Sequence, residues 1–253
     1  NISPLKFYTQ TQRDKLKKKF KKNNVIVDFA MRYGEPSIKN RIYNLKEKGC
    51  DNIVVLPLYP QYASPTTASV CDEVYRVLLK MRWQPSIQIV PHYESHPLYI
   101  KALANSISEK IKTLSYTPDV IITSYHGIPK KYFLKGDPYH CYCYKTTRLL
   151  EEKMKLKIPF LVTFQSRFGP QKWLTPYTDK TLENLPKEGK KNVLAICPGF
   201  SSDCVETLEE MAIQGKESFL KNGGKNFEVV PCLNDTDDHI SLLEQLFKKY
   251  FIE

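Results

Sequence analysis

Short apolar runs alternate with longer amphipathic stretches along almost the whole chain. Residues 25–31, 53–58, 87–90, 120–125, 160–164, 193–197 and 227–230 are rich in Val, Ile and Phe. They are too short for helices and are bounded by turn residues, so they read as strands buried on both faces. Between them, residues 67–81 and 204–220 space apolar side chains three to four apart, which predicts helices. Strand, helix, strand in repetition builds a parallel sheet with helices on its faces. The fold class is therefore α/β.

The pattern also occurs twice. Val27-Asp28-Phe29-Ala30-Met31-Arg32-Tyr33-Gly34 is answered by Val162-Thr163-Phe164-Gln165-Ser166-Arg167-Phe168-Gly169. Asn52-Ile53-Val54-Val55-Leu56-Pro57 is answered by Asn192 through Pro198, and Ile89-Val90-Pro91 by Val229-Val230-Pro231. Such self-similarity, at about 135 to 140 residues, predicts two tandem lobes, each a small doubly wound parallel sheet. The first lobe takes residues 1–115 and the second 116–235. Residues 236–253 form a last helix, with Ile240, Leu243, Leu246 and Phe247 on one face of the pattern at 238–251, packing back onto the lobes. In the second lobe the strand at 120–125 comes first, and its counterpart would fall before Asn1. The duplication therefore predicts a first strand and loop ahead of this chain, with the loop facing the same cleft as the end of strand 120–125. No low-complexity linker separates the halves, so they share an interface, and a cleft between them is the natural ligand site.

Composition changes this picture little. No segment approaches the ~18 uninterrupted apolar residues of a membrane span, and the start resembles neither a signal nor a transit peptide, so a cytoplasmic protein is expected. The formal charge of +11 is concentrated at Lys15, Lys17, Lys18, Lys19, Lys21 and Lys22. This run reads as a solvated helix face, able at most to touch an anionic membrane surface. No aromatic residues interleave with it to support nucleic-acid binding. Seven cysteines without regular spacing read as reduced thiols. Cys141 and Cys143 could give two thiolates to a metal or an iron–sulfur cluster, without a second pair nearby to complete the set.

Candidate chemistry sits at strand ends. His126 follows the run at 120–125 and precedes Gly127 and Pro129, and loops at the carboxyl ends of parallel strands carry ligand sites in open α/β folds. It reads either as a loop-capping histidine or as a site residue. After the run at 193–197, Ser202 or Asp203 is placed to cap a helix. Asp203, Glu206, Glu210 and Glu217 then recur along one side of that helix. Like charges in a row are either solvated or hold a cation, and opposite His126 they suit a divalent, iron-like metal in transit. Trp173, beside Arg167 and Lys172, either packs between helix and sheet or stacks on a flat aromatic ligand whose carboxylates meet the cations.

These residues together resemble the ferrochelatase family. The matching segments are Met31-Arg32-Tyr33-Gly34, Leu56 through Tyr62 with Thr66 and Thr67, Ser124-Tyr125-His126-Gly127-Ile128-Pro129, Gly136 through Tyr139, Phe164-Gln165-Ser166-Arg167 through Trp173, and Pro198 through Glu210. They run in family order over the whole chain. The resemblance implies two flavodoxin-like lobes of the chelatase fold around a porphyrin cleft, and an enzyme that inserts Fe2+ into a porphyrin, protoporphyrin IX first, to give haem with release of two protons. It implies catalytic and metal-handling roles for His126 and Glu206, and further acidic positions at Asp203 and Glu210. Arg32, Tyr33, Arg167 and Trp173 would meet the porphyrin. It also implies no resident cofactor beyond the iron substrate. The [2Fe-2S] cluster of animal relatives is not expected, since their cysteine-bearing tail has no counterpart after the last helix and Pro65 stands where they place a cluster cysteine. A chelatase for another metal or tetrapyrrole, or a porphyrin carrier without turnover, are the alternative readings. Retention of His126 with the acidic row favours the enzyme.

Overall fold

The computed structural model describes residues 3–21 and 24–250; Asn1 and Lys22, named above, and the last residue of the pattern at 238–251 lie outside them. Its α/β architecture has two parallel sheets, one on each side of residue 115. In the first, β1 (Asn52–Val55) pairs with β2 (Ser86–Ile89). The second has four strands in the order β4-β3-β5-β6, formed by β3 (Val120–His126), β4 (Phe160–Gln165), β5 (Asn192–Ile196) and β6 (Asn226–Val229). Strand β3 is central, and its Val, Ile, Thr and Ser side chains are fully buried, as a two-sided parallel strand requires.

Part of the repeat recurs in the backbone hydrogen bonds. Val90 N donates to Val55 O at 2.8 Å, and Val230 N to Ala195 O at 2.8 Å. Pro36 O accepts from Met31 N at 2.7 Å and Pro176 O from Phe164 N at 2.9 Å, each just before a helix, although Phe164 answers Phe29 and not Met31 in the repeat. These helices are α2 (Ile38–Glu47) and α7 (Thr178–Asn184). One expectation fails: residues 25–31 form no strand and make only a single bridge, Met31 to Ser37. Their counterpart β4 is zipped to β3 over six residue pairs, whereas no described strand runs beside 25–31, and an apolar run without a ladder partner is not a strand.

The helices cross between lobes. α4 (Pro97–Thr113) lays Tyr99, Leu103 and Ile107 into a core shared with Ile121, Leu194 and Ile196 of the second sheet. α9 (Asp237–Lys248) returns the exchange, packing Ile240 and Leu243 against Leu16 of α1 (Pro4–Lys19) and Phe20 just after it. The basic run ends α1, where lysines favour the negative end of the helix dipole. Lys15 and Lys19 pair with Asp235 at 3.0 Å and Glu244 at 3.6 Å, which accords with a solvated face packed beside α9. No helix among the described residues is long and apolar enough to cross a membrane.

Two stability predictions arise here. A Cβ at Gly224 would fall inside the fully buried ring of Phe219, so Gly224→Ala costs about 2–3 kcal/mol by overpacking, read as a lower urea midpoint. On α9, burial holds the His239 imidazole down to about 4 from its usual 6.5, against the smaller opposing pull of the Asn234 carbonyl 2.6 Å from Nδ1. The unfolded chain takes up this proton below pH 6.5 and the folded chain only near 4. Stability therefore falls as pH drops through that window, by about 2 kcal/mol at pH 5. Urea midpoints at pH 7 and pH 5 check this, and His239→Gln flattens the difference.

Candidate active site

Strand order reverses between β3 and β5, where the chain leaves β3 for β4 on one side and returns to β5 on the other. That switch point opens a crevice at the strands' carboxyl ends. His126 is the last residue of β3. Its Nδ1 lies 2.7 Å from Gly127 O. A carbonyl only accepts, so Nδ1 carries a hydrogen and Nε2 is the ring nitrogen left for other partners. The loop beyond is held from beneath: Gly127 N donates to Gln165 O at 2.8 Å, and Leu174 N to Ile128 O at 3.0 Å. A Cβ at Gly127 would stand 2.9 Å from Gln165 O and 3.2 Å from Trp173 Cε3, so glycine lets the histidine loop lie flat on that floor.

Beyond β5 the chain turns through Gly199 and Phe200 into a π-helical segment, Glu206–Gly215, which α8 (Lys216–Lys221) continues. A second π-helical segment, Ser64–Ala68, opens α3 (Ser69–Leu78) in the first lobe. Each sends a polar residue of its first turns, Glu206 and Thr66, to one cavity of about 900 Å³. His126, Arg32, Tyr59 and Phe200 also line it, so both lobes contribute. That volume is at the upper end of small-molecule sites, roughly 300–1,000 Å³.

The predicted residues divide. His126, Glu206 and Arg32 come together in the cavity. Arg32 is oriented by Nε donating to Ser69 O at 2.9 Å and Ser69 Oγ at 2.8 Å, with its guanidinium 4.5 Å over the Tyr33 ring. Tyr33 itself is 74% exposed and outside the lining.

The acidic row does not form. Asp203 is buried in a knot: Oδ1 accepts from Thr207 Oγ1 at 2.9 Å and Cys232 N at 3.3 Å, and Oδ2 from Asn234 Nδ2 at 2.6 Å. Glu210 turns to the loop after β4, accepting from Ser166 N at 2.6 Å and Ser166 Oγ at 2.5 Å. Glu217 is exposed on α8. Asp203 precedes the helix and so lies on no helical face, and the five-residue bonds of Glu206–Gly215 turn Glu217, beyond them, away from Glu206 and Glu210.

Arg167 and Trp173 do not line the cavity either. Arg167 pairs with Asp179 at 2.6 Å, 4.1 Å over the Tyr177 ring. Trp173 is buried, donating Nε1–H to Phe168 O at 3.0 Å. It packs under the histidine loop, because a large ring fills the floor that Gly127 leaves open. Cys141 and Cys143, on α6 (Tyr139–Met154), are respectively exposed and buried, so the pair does not converge on one ion.

Tyr59 and Cys204 are among the lining residues that the sequence reading did not single out. Tyr59 lies in the loop after β1, where the strand-end rule would have found it. Its phenol is pushed up mainly by burial and then by Tyr33, with Arg32 opposing. Cys204 beside Glu206 carried no sequence signal. Burial and then the Glu206 carboxylate push its thiol up to about 12, so it meets the cavity as a neutral thiol.

Similarity to known proteins decides the family. Residues 1–250 match the ferrochelatase family profile. The chain belongs to the ferrochelatase family. It is 53% identical over 251 residues to the ferrochelatase of Allorhizobium ampelinum, covering 98% of this chain and 73% of that one. To the ferrochelatase of Francisella tularensis subsp. novicida it is 51% identical over 252 residues, covering 98% and 75%. SirB from Bacillus subtilis, solved with Fe3+, superposes with a TM-score of 0.68 at 14% identity, over 98% of this chain and 91% of that one. DR2241 from Deinococcus radiodurans, which resembles chelatases, gives a TM-score of 0.63 at 11% identity, over 98% and 52%. At such identities these two structures show the chelatase fold. As a ferrochelatase-family protein, the chain is an enzyme of iron insertion into a porphyrin, the haem-forming step.

Proposed function

We propose that a porphyrin, protoporphyrin IX in the first instance, lies in the interlobe cavity between His126 and Glu206, and that this pair handles iron and protons. The observation that carries the reading is that these two groups, one ending β3 and the other on the segment that follows β5, line one cavity with Arg32. Porphyrin nitrogens hide their lone pairs in the plane and two of them carry hydrogens. Metallation therefore needs a puckered macrocycle, a partly dehydrated Fe2+ and acceptors for two protons. His126 Nε2 offers a lone pair that can take a pyrrole proton, and the Glu206 carboxylate is a hard ligand that can guide the cation or take the second proton. Arg32, fixed by Ser69, faces the same space as a cation for a substrate carboxylate. Walls that hold a distorted ring favour the transition state over the flat substrate. Fe2+ and the porphyrin give haem and two protons, which makes the protein a metal-inserting lyase. The reading needs no resident cofactor, and places the protein in the cytoplasm with at most peripheral membrane contact.

Anaerobic mixing with protoporphyrin and Fe2+, followed by absorbance, tests this. Haem formation over many turnovers is expected. Porphyrin bound stoichiometrically and never metallated would leave a carrier.

A further inference from the structure

We infer that Gln165, which does not touch the cavity, is the positioning residue that sets Glu206 opposite His126. It is the register partner of His126 across β3 and β4 and is buried at 4% exposure. Its main-chain carbonyl accepts from Gly127 N at 2.8 Å, holding the histidine loop. Its side-chain Nε2 donates to the backbone carbonyl of Glu206 at 2.8 Å, and faces Glu210 Oε2 at 3.5 Å. The other end of the amide accepts from Ser124 Oγ at 2.6 Å and faces the Cys197 thiol at 3.6 Å.

Two donors at Oε1 and two acceptors at Nε2 leave the amide one orientation. Ser124 belongs to β3, two residues before His126, and is itself 2.9 Å from Thr178 Oγ1. One residue thus ties both members of the working pair to the rigid centre of the sheet, where geometry is held more tightly than on loops. Glu210 strengthens the tie by gripping Ser166, whose φ of 63° is uncommon for a residue with a Cβ.

The inference rests on reading His126 and Glu206 as the pair, and the test separates the two. Gln165→Met keeps the volume and removes both hydrogen-bonding ends. Loss of register at this scale costs up to about 100-fold in rate. Expected is a kcat lowered by about 10- to 100-fold, with the porphyrin KM unchanged, in assays well below the unfolding temperature. Adding Ser124→Ala lowers kcat no further, because Ser124 acts through the amide. If Gln165→Met does not fold, Ser124→Ala alone carries the test, with kcat falling and porphyrin KM constant. Wild-type kcat in the variant that folds, or a loss that falls wholly on porphyrin KM, would overturn the inference. Glu206→Gln measured alongside distinguishes the failures: if it is inactive while Gln165→Met is fully active, only the positioning role falls; if it is fully active, the pair itself falls.

Discussion

His126→Ala lowers the rate of iron insertion by about 10²- to 10⁴-fold, the contribution of a well-placed proton acceptor, while porphyrin affinity changes only a few-fold. The reasoning is geometric. His126 ends the central strand with Nδ1 committed to Gly127 O at 2.7 Å, so its one free function is the Nε2 lone pair. With the porphyrin in the cavity, its affinity is expected to come instead from the area of the walls, to which Met31, Tyr59, Phe200 and Tyr139 also contribute. Anaerobic initial rates paired with a porphyrin fluorescence titration read the two effects separately. Equal loss of rate and affinity would make the histidine a wall of the pocket and nothing more.

Asp203→Ala is the second large effect, and it falls on stability. The carboxylate satisfies donors from Thr207, Cys232 and Asn234 at once, and Asn234 in turn bonds Asp203 N at 2.8 Å and accepts from Gln12 Nε2 of α1 at 2.8 Å through its carbonyl. Removing the hub leaves buried donors unpaired and loosens the join between α1 and the second lobe, at a cost of about 3 kcal/mol or more. Denaturant unfolding shows this directly. Should the variant keep wild-type stability and lose turnover, Asp203 belongs to the chemistry after all, as its place in the sequence had suggested.

The contrast between these two residues shows what the sequence reveals. His126 was legible because a β-branched run ending in His-Gly-Ile-Pro places the histidine at a strand end, and strand ends in doubly wound sheets face the crevice. The duplication was legible for a similar reason: short apolar runs and their turns repeat as letters. The row of Asp203, Glu206, Glu210 and Glu217 was drawn at 3.6 residues per turn from Asp203 onward, but Asp203 precedes the helix, nothing in Glu206 through Gly215 announces π winding, and the letters do not say that Asp203 bonds Asn234 or that Glu210 bonds Ser166. Residues 25–31 have the composition of a strand, but a strand exists only with a partner, which composition does not encode. Trp173 and Arg167 sit in an irregular loop, where the side chain's neighbours follow from tertiary packing alone. Gln165 is one more buried polar residue in the letters; its role emerges when both ends of its amide are followed to their partners.

The central claim is the place of the porphyrin, and a crystal structure of the protein with protoporphyrin tests it most directly. The account predicts a macrocycle in the interlobe cavity with His126 Nε2 over one face and the Glu206 carboxylate over the other. A porphyrin bound elsewhere, or with neither group facing its nitrogens, would contradict it.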